Sequence, residues 1–456
     1  MESTEIESLK QHMKLATIQQ VRQLFPPMKR NLTDNQFGLM RIVEIKYKSA
    51  VDIEQVINEI LKNEAIEYAE PSYNNRYHYA GDVSSAVTNT VATHPVNDPG
   101  FVKGWQSYLE QVHAPEAWGL PLKSTGAVTP VIIAVIDSGL DFDHEDLAGN
   151  IYYNEADPVD GIDNDEDGYI DNYRGWDFAD NDHDPRIVKG EYNHGTHVSG
   201  LASAVMNNEK GIASIANNYA KLLILKGYYY EAIKYAADHG ANIINCSWGS
   251  TFFSAYNQEV VNYAINQGCL IVASAGNEAQ ENNATFYPAA YPNVFAVSSV
   301  DPSDKKSDFS NYGRYVSISA PGNNIYSTGY GNGYSLMYGT STSSPLVASA
   351  AALVKAHFPL LTMLEVGNRL KHYADPIDNL NPMHKGQLGA GRLNVYRALT
   401  EEGAPNVFVE SNSPVLPGAL LAISASLIEE DATYYWETPD GLTKTTKVPY
   451  LERSQI

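Results

Sequence analysis

The sequence predicts an α/β protein: a parallel sheet flanked by helices, with a small α+β unit before it and a short β module after it. Two observations carry this expectation. Four nearly continuous apolar runs, Val131–Ile136, Ala220–Leu225, Ala241–Cys246 and Leu270–Ala275, read as strands buried on both faces. Helical patterns lie between them, as at Tyr230–His239 and Ser254–Gln267. Strands alternating with helices make a sheet covered on both sides.

The flanks differ in character. Residues 1–80 form a first unit. Val43, Ile45 and Tyr47 alternate with charged residues as in a half-buried strand. Ile53, Val56, Ile57, Ile60 and Leu61 then fall at helical spacing. Ile66–Pro71 reads as a further strand stopped by proline, and residues 7–25 as an amphipathic helix. Residues 81–96, rich in Gly, Ser, Thr and Val without periodicity, are a linker. The α/β unit spans 97–402. Residues 403–456 form a small or partial β module, with strands expected at Val407–Val409, Leu420–Ala425 and Tyr434–Trp436.

The chain has 456 residues and a formal net charge of −23, which disfavours nucleic-acid binding. Its two cysteines, Cys246 and Cys269, lie in apolar runs and read as small buried hydrophobes. No run approaches the ~20 apolar residues of a membrane span. The opening residues Met1-Glu2-Ser3-Thr4-Glu5 are too polar for a signal peptide.

Three segments carry chemistry. Ala134-Val135-Ile136-Asp137-Ser138-Gly139 places a carboxylate at the C-terminal end of a buried strand, where parallel sheets hold their sites. Asn193-His194-Gly195-Thr196-His197-Val198-Ser199-Gly200 sets a histidine beside a glycine at a helix start. Tyr338-Gly339-Thr340-Ser341-Thr342-Ser343-Ser344-Pro345 puts a serine where helix-terminal N–H groups gather, with the proline inside the first turn. Taken singly, each has a structural reading: a turn-capping Asp, a packed His, an N-cap Ser. Together they supply a nucleophile, a base for its proton and a carboxylate to orient that base.

In the order Asp137, His194, Ser341, these segments strongly resemble the subtilisin-like serine proteases (subtilases, peptidase family S8). The resemblance covers residues 97–402 and implies the subtilisin fold. It implies that Asn277, in Ala273-Ser274-Ala275-Gly276-Asn277, donates to the oxyanion with the Ser341 amide. It implies an extended substrate along Ser247-Trp248-Gly249, with Ser274-Ala275-Gly276 as the facing wall and Phe286 at the pocket floor. Phe286 stands where a small residue is common, so a preference for smaller side chains is expected. Residues 1–80 resemble a propeptide, an intramolecular inhibitor and folding aid. Self-processing is then expected between about residues 72 and 96, as in a zymogen. Export to the extracellular space or periplasm is also implied, its leader having been removed from this chain. Departures are Thr342, Ser343 and Leu346 after the nucleophile, and a short stretch between Lys226 and Ile243.

Asp163-Asn164-Asp165-Glu166-Asp167-Gly168-Tyr169-Ile170-Asp171 offers oxygen ligands at alternating positions, like an EF-type calcium loop, although its twelfth position is Arg174. The resemblance adds Asp146 and Asn207 as neighbours of a second Ca2+ site. The expected protein is therefore a secreted serine endopeptidase acting on peptides or proteins. The competing expectations are a non-catalytic binding protein on the same fold and a calcium-binding structural protein.

Overall fold

The computed structural model describes residues 13, 15–25, 39–63, 65–72, 75–77, 96–123 and 129–401, with strands at 409–411, 421–425, 434–437, 443–446 and 450–453. Residues 81–95 of the expected linker lie outside this set.

In the N-terminal unit, β1 (Ala16–Gln23) pairs antiparallel with β2 (Val43–Ser49), from Ala16 opposite Ser49 to Gln23 opposite Val43. Helix α1 (Ile53–Ile60) follows, with Asp52 as its N-cap accepting from Gln55 N at 2.9 Å. Val56 and Ile60 pack on Met13, Ile18, Ile45 and Tyr47. The helix expected within residues 7–25 is instead β1 over its described part. Ile18 and Val21 turn inward on the two sides of a register shift, and pairing with β2 outweighs the helical spacing. The strand expected at Ile66–Pro71 forms no ladder. Ile66 and Ala69 pack on the α1 cluster, while Tyr68 and Glu70 reach toward the α/β unit. The short β3 (Arg76–Tyr77) closes the unit.

The α/β unit holds β4 (Val131–Asp137), β5 (Gly175–Asp177), α2 (His194–Ser203), β6 (Ala220–Lys226) and α3 (Tyr230–Asp238). It continues with β7 (Ile243–Cys246), β8 (Trp248–Gly249), α4 (Ala255–Asn266), β9 (Leu270–Ser274), β10 (Phe295–Val300) and β11 (Val316–Pro321). A hairpin, β12 (Ile325–Gly329) and β13 (Gly333–Met337), precedes α5 (Thr340–His357) and α6 (Met363–His372). The central sheet has seven strands in the order β11-β10-β9-β7-β4-β6-β5, all parallel. The four apolar runs read from the sequence form β4, β6, β7 and β9.

Side chains of β4 divide between the two faces as a period of two requires. Ile133 and Val135 join the core under α2, α5 and α6, while Ala134 and Ile136 join the core under α3 and α4. Helix α5 is buried almost all round, which makes it a central helix rather than a surface one. Cys246 and Cys269 are free and buried, as expected. Beyond residue 401, β14 (Val409–Ser411), β15 (Leu421–Ala425) and β18 (Tyr450–Arg453) form one antiparallel sheet, and β16 (Tyr434–Glu437) pairs with β17 (Thr443–Thr446). The strand expected at 407–409 begins at Val409, residues 407–408 lying outside the described set. No helix among the described residues is long and apolar enough to cross a membrane.

Candidate active site

The ends of β4, β7 and β9 point to one edge of the sheet, where α2 and α5 begin. Asp137 is the last residue of β4 and His194 the first of α2. A glycine makes their meeting possible: a Cβ on Gly195 would collide with the Gly139 carbonyl and lie 3.2 Å from Asp137 Cβ. Ser138 Oγ accepts from Gly195 N at 2.9 Å and ties the same two segments. His194 Nδ1 donates to Asp137 Oδ1 at 2.8 Å and lies 3.0 Å from Oδ2. Both side chains are buried, and Ser138 N donates to Asp137 Oδ1 at 2.7 Å. The proton on Nδ1 leaves Nε2 as the basic nitrogen of the neutral ring. Tyr192 stacks on this ring at 5.6 Å between centroids and 10° between planes.

Ser341 is the second residue of α5, after Gly339 as N-cap and Thr340. Its N–H belongs to the first turn, which has no intrahelical acceptor. Pro345 is the sixth helical residue, deeper than the first turn expected for it. A residue there would donate to the carbonyl four back, that of Ser341, and proline has no N–H. Ser247 Oγ takes that place, donating to Ser341 O at 2.8 Å. Asn277 Oδ1 accepts from Thr340 N and Thr340 Oγ1, each at 2.9 Å. A backbone N–H can only donate, so the accepting atom is the oxygen and the other end of the amide is a donor. Thr340 Oγ1 also accepts from Gly276 N at 3.1 Å.

The substituted residues after Ser341 are satisfied locally. Thr342 Oγ1 donates to Gly339 O at 2.9 Å, Ser343 Oγ to Pro321 O at 3.0 Å, and Leu346 joins the core. His197, the second histidine of the α2 motif, is structural: its Nε2 donates to Ile325 O at 3.1 Å. Complete burial, followed by the nearby His194, pushes its pKa down to about 3.

Trp248 and Gly249 form β8, which pairs antiparallel with β3, Tyr77 opposite Trp248 and Arg76 opposite Gly249. Asn75 Nδ2 donates to Tyr228 O at 2.9 Å. Tyr228 stands in the short segment after β6, with its ring 6.3 Å from that of Trp248. Ser274 ends β9, and Ala275 N donates to Val297 O at 2.9 Å. Phe286 is fully buried between Gly249 and Gly276. Glu70 accepts from Ser254 Oγ, Ala255 N (3.0 Å) and Tyr256 N (3.3 Å), covering the positive end of α4.

The acidic loop divides differently from its sequence pattern. Asp163 and Asp165 gather with Asp157, and Asp165 and Asp167 with His239, each group having ligand atoms within 4.8 Å of one another. Asp165 Oδ1 is buried without a hydrogen-bond partner. Asp171 stands outside both groups: its Oδ1 accepts from Asp160 N and Gly161 N, which hold its carboxyl below the usual range. Asp157 lies outside the alternating run and His239 follows α3, so spacing alone gave neither. Asp146 accepts from Ile212 N and Asn208 Nδ2, each at 2.8 Å, and burial pushes its pKa up to about 6. Asn207 Oδ1 instead accepts from Asn97 N, and its N–H donates to the buried Asp98. Asp98 thus joins this corner without having been expected there.

The chain is similar to known proteins. The subtilase family matches residues 129–398. The thermophilic serine proteinase of Bacillus sp. strain AK1 is 35% identical over 76% of this chain and 76% of its own. Thermitase of Thermoactinomyces vulgaris is 36% identical over 66% of this chain and 98% of its own. The crystal structure of fervidolysin from Fervidobacterium pennivorans superposes with a TM-score of 0.68 at 19% identity, over 93% of this chain and 66% of that one. Fold, motif order and relatives agree that the chain belongs to the subtilase family of subtilisin-like serine peptidases.

Proposed function

We propose that the chain is a serine endopeptidase in which Ser341 is the nucleophile, His194 its base and Asp137 the group that orients His194. The observation that carries this is the buried His194 Nδ1–Asp137 pair at 2.8 Å, which presents Nε2 as the proton acceptor. His194 takes the Ser341 hydroxyl proton as Oγ bonds to the substrate carbonyl carbon. It then gives that proton to the leaving amine as the peptide C–N bond breaks. Asp137 stabilises the imidazolium between these steps. The Asn277 amide and the Ser341 N–H hold the oxyanion. Water repeats the sequence and releases the acyl group. A serine-directed fluorophosphonate should modify Ser341 in the processed protein and abolish its peptide hydrolysis.

Residues 1–80 serve as the inhibitor in this reading. Their Arg76–Tyr77 pair occupies the β8 edge that an extended substrate would use, and Glu70 fastens them to α4. Self-cleavage between about residues 72 and 96 would release the edge. Ser341→Ala protein should therefore keep an N-terminus that active protein loses. The halolysin-like protease Nep of Natrialba magadii is described as extracellular, which supports secretion here.

Asp157, Asp163 and Asp165 fit a hard cation such as Ca2+, since three carboxylates meet and Asp165 Oδ1 is buried and unmatched. Bound Ca2+ would supply the charge that holds this loop together. Asp146 and Asn207, expected beside a second site, do not gather as ligands: Asp146 accepts from Ile212 N and Asn208 Nδ2, and Asn207 Oδ1 from Asn97 N.

A further inference from the structure

We infer that Tyr192 is a positioning residue for the proposed base: its ring lies along one face of the His194 imidazole, keeps that imidazole aligned with Asp137 and steadies the positive charge that His194 takes up during turnover. This deepens the protease reading above and rests on it.

The contact arises from the way the chain enters α2. Asn193 is the N-cap, His194 the first helical residue, and Tyr192 the residue before the cap. A large side chain before an N-cap commonly packs on the fourth helical residue, which here is His197. That residue is engaged elsewhere: it is buried, and its Nε2 donates to Ile325 O at 3.1 Å. Tyr192 turns to His194 instead, with ring centroids 5.6 Å apart and planes 10° apart. Side chains two positions apart within one helix do not face each other. These two meet because Tyr192 stands outside α2, in non-helical backbone.

The segment that carries Tyr192 is fastened to the sheet end that carries Asp137. Val188 N donates to Glu191 Oε2 at 2.9 Å and Glu191 N to Val188 O at 3.0 Å, closing a turn just before Tyr192. Glu191 lies 3.8 Å from Lys226 Nζ, which pairs with Asp177 at 3.0 Å. Lys226 ends β6 opposite Asp137 in the parallel ladder. His194 is thus held twice, at its Nδ1 edge by Asp137 and along its face by Tyr192. The first contact resists rotation of the ring in its plane, and the second resists tipping out of it. The His194 side chain is 0% exposed and Tyr192 is half-buried, so the tyrosine ring covers the imidazole on its side. In the proposed mechanism His194 becomes a cation inside this dry site when it takes the serine proton. An aromatic face attracts a cation within about 6 Å of its centroid, most strongly where water is excluded. Asp137 supplies negative charge at the edge of the ring, and Tyr192 supplies an electron-rich face. A leucine at 192 would keep an apolar cover and lose that attraction.

The test is steady-state hydrolysis of one peptide substrate by processed wild-type protein and by its Tyr192→Leu and Tyr192→Phe variants. Tyr192→Leu should lower kcat about tenfold with KM within about twofold of wild type. Tyr192→Phe, which keeps the ring, should restore kcat to within about twofold. Melting followed by circular dichroism checks that each variant is folded; where Tyr192→Leu is not, Tyr192→Met takes its place with the same expectation. Wild-type kcat in the folded Leu or Met variant overturns the inference, and so does a loss carried by KM alone. A kcat as low in folded Tyr192→Phe as in Tyr192→Leu also overturns it, because the hydroxyl and not the ring face would then carry the effect. Wild-type protein that neither takes a fluorophosphonate label nor cuts any peptide overturns the protease reading, and this inference with it; the missing label tells the two failures apart.

Discussion

Two regions of the molecule place buried or partly buried carboxylates, and they do so in opposite ways. At the end of the sheet, Asp137 stands on a buried strand with each of its contacts matched by a donor: Ser138 N and His194 Nδ1. In the loop from 157 to 171, Asp157, Asp163 and Asp165 are brought within 4.8 Å of one another, and one oxygen of Asp165 meets no donor. A carboxylate paired with histidine is complete as it stands and ready for proton transfer. Carboxylates facing each other repel, and are stable together when a cation lies between them. In the proposed reading, one region performs chemistry, and the other, with a cation bound, would hold a loop in place.

Substitutions separate the two roles. Ser341→Ala should lower kcat on the order of 10⁶-fold, a scale known from subtilisin itself, with little change in melting temperature. Asp137→Asn should cost about 10⁴-fold, the scale of the same change in another serine protease, read as kcat in a steady-state assay.

Acid should weaken the packing around His194. His197 stays neutral in the fold until about pH 3, whereas an unfolded histidine takes a proton below about 6.5. The folded pKa is depressed, so this contribution is complete above pH 6.5 and is lost as pH falls toward 3. Its full size is on the order of 5 kcal/mol. Denaturant midpoints measured from pH 7 to 4 should fall steadily, and less steeply in a folded His197→Gln variant.

Asn277→Ala should reduce kcat by about 10²–10³, again the scale known for this loss in subtilisin, with KM nearly unchanged. A change confined to KM would assign Asn277 to substrate binding instead. Chelating Ca2+ should have the smallest effect on chemistry. It should lower stability by about 3 kcal/mol where the ion is at 100-fold its Kd, and expose the loop to a second protease. Turnover well below the melting temperature should persist. Asp165→Asn should reproduce that loss, and Asp171→Asn should not.

Much of the centre was legible in the sequence, because each part announces itself locally. A buried parallel strand ends at Asp137, and glycine follows His194 where two backbones must touch. Small residues surround Ser341 at a helix start. The supports were not legible in this way. Thr340 orients Asn277 across 63 positions, and Ser247 replaces the donor that Pro345 lacks, a relation visible only once the helix start is known. His239 reaches the acidic loop from the far end of α3. In the N-terminal unit the helix pattern expected over residues 7–25 yielded at Ala16–Gln23 to pairing with β2, a long-range choice that local periodicity does not encode.

In the proposed mechanism Ser341 is a nucleophile activated by His194. Its most direct test is mass spectrometry of the fluorophosphonate adduct on processed protein, on His194→Ala and on Asp137→Asn. One adduct is expected, on Ser341, forming in wild-type protein at least about 10³-fold faster than in either variant. An adduct on another residue, or equal rates in the three proteins, would contradict it.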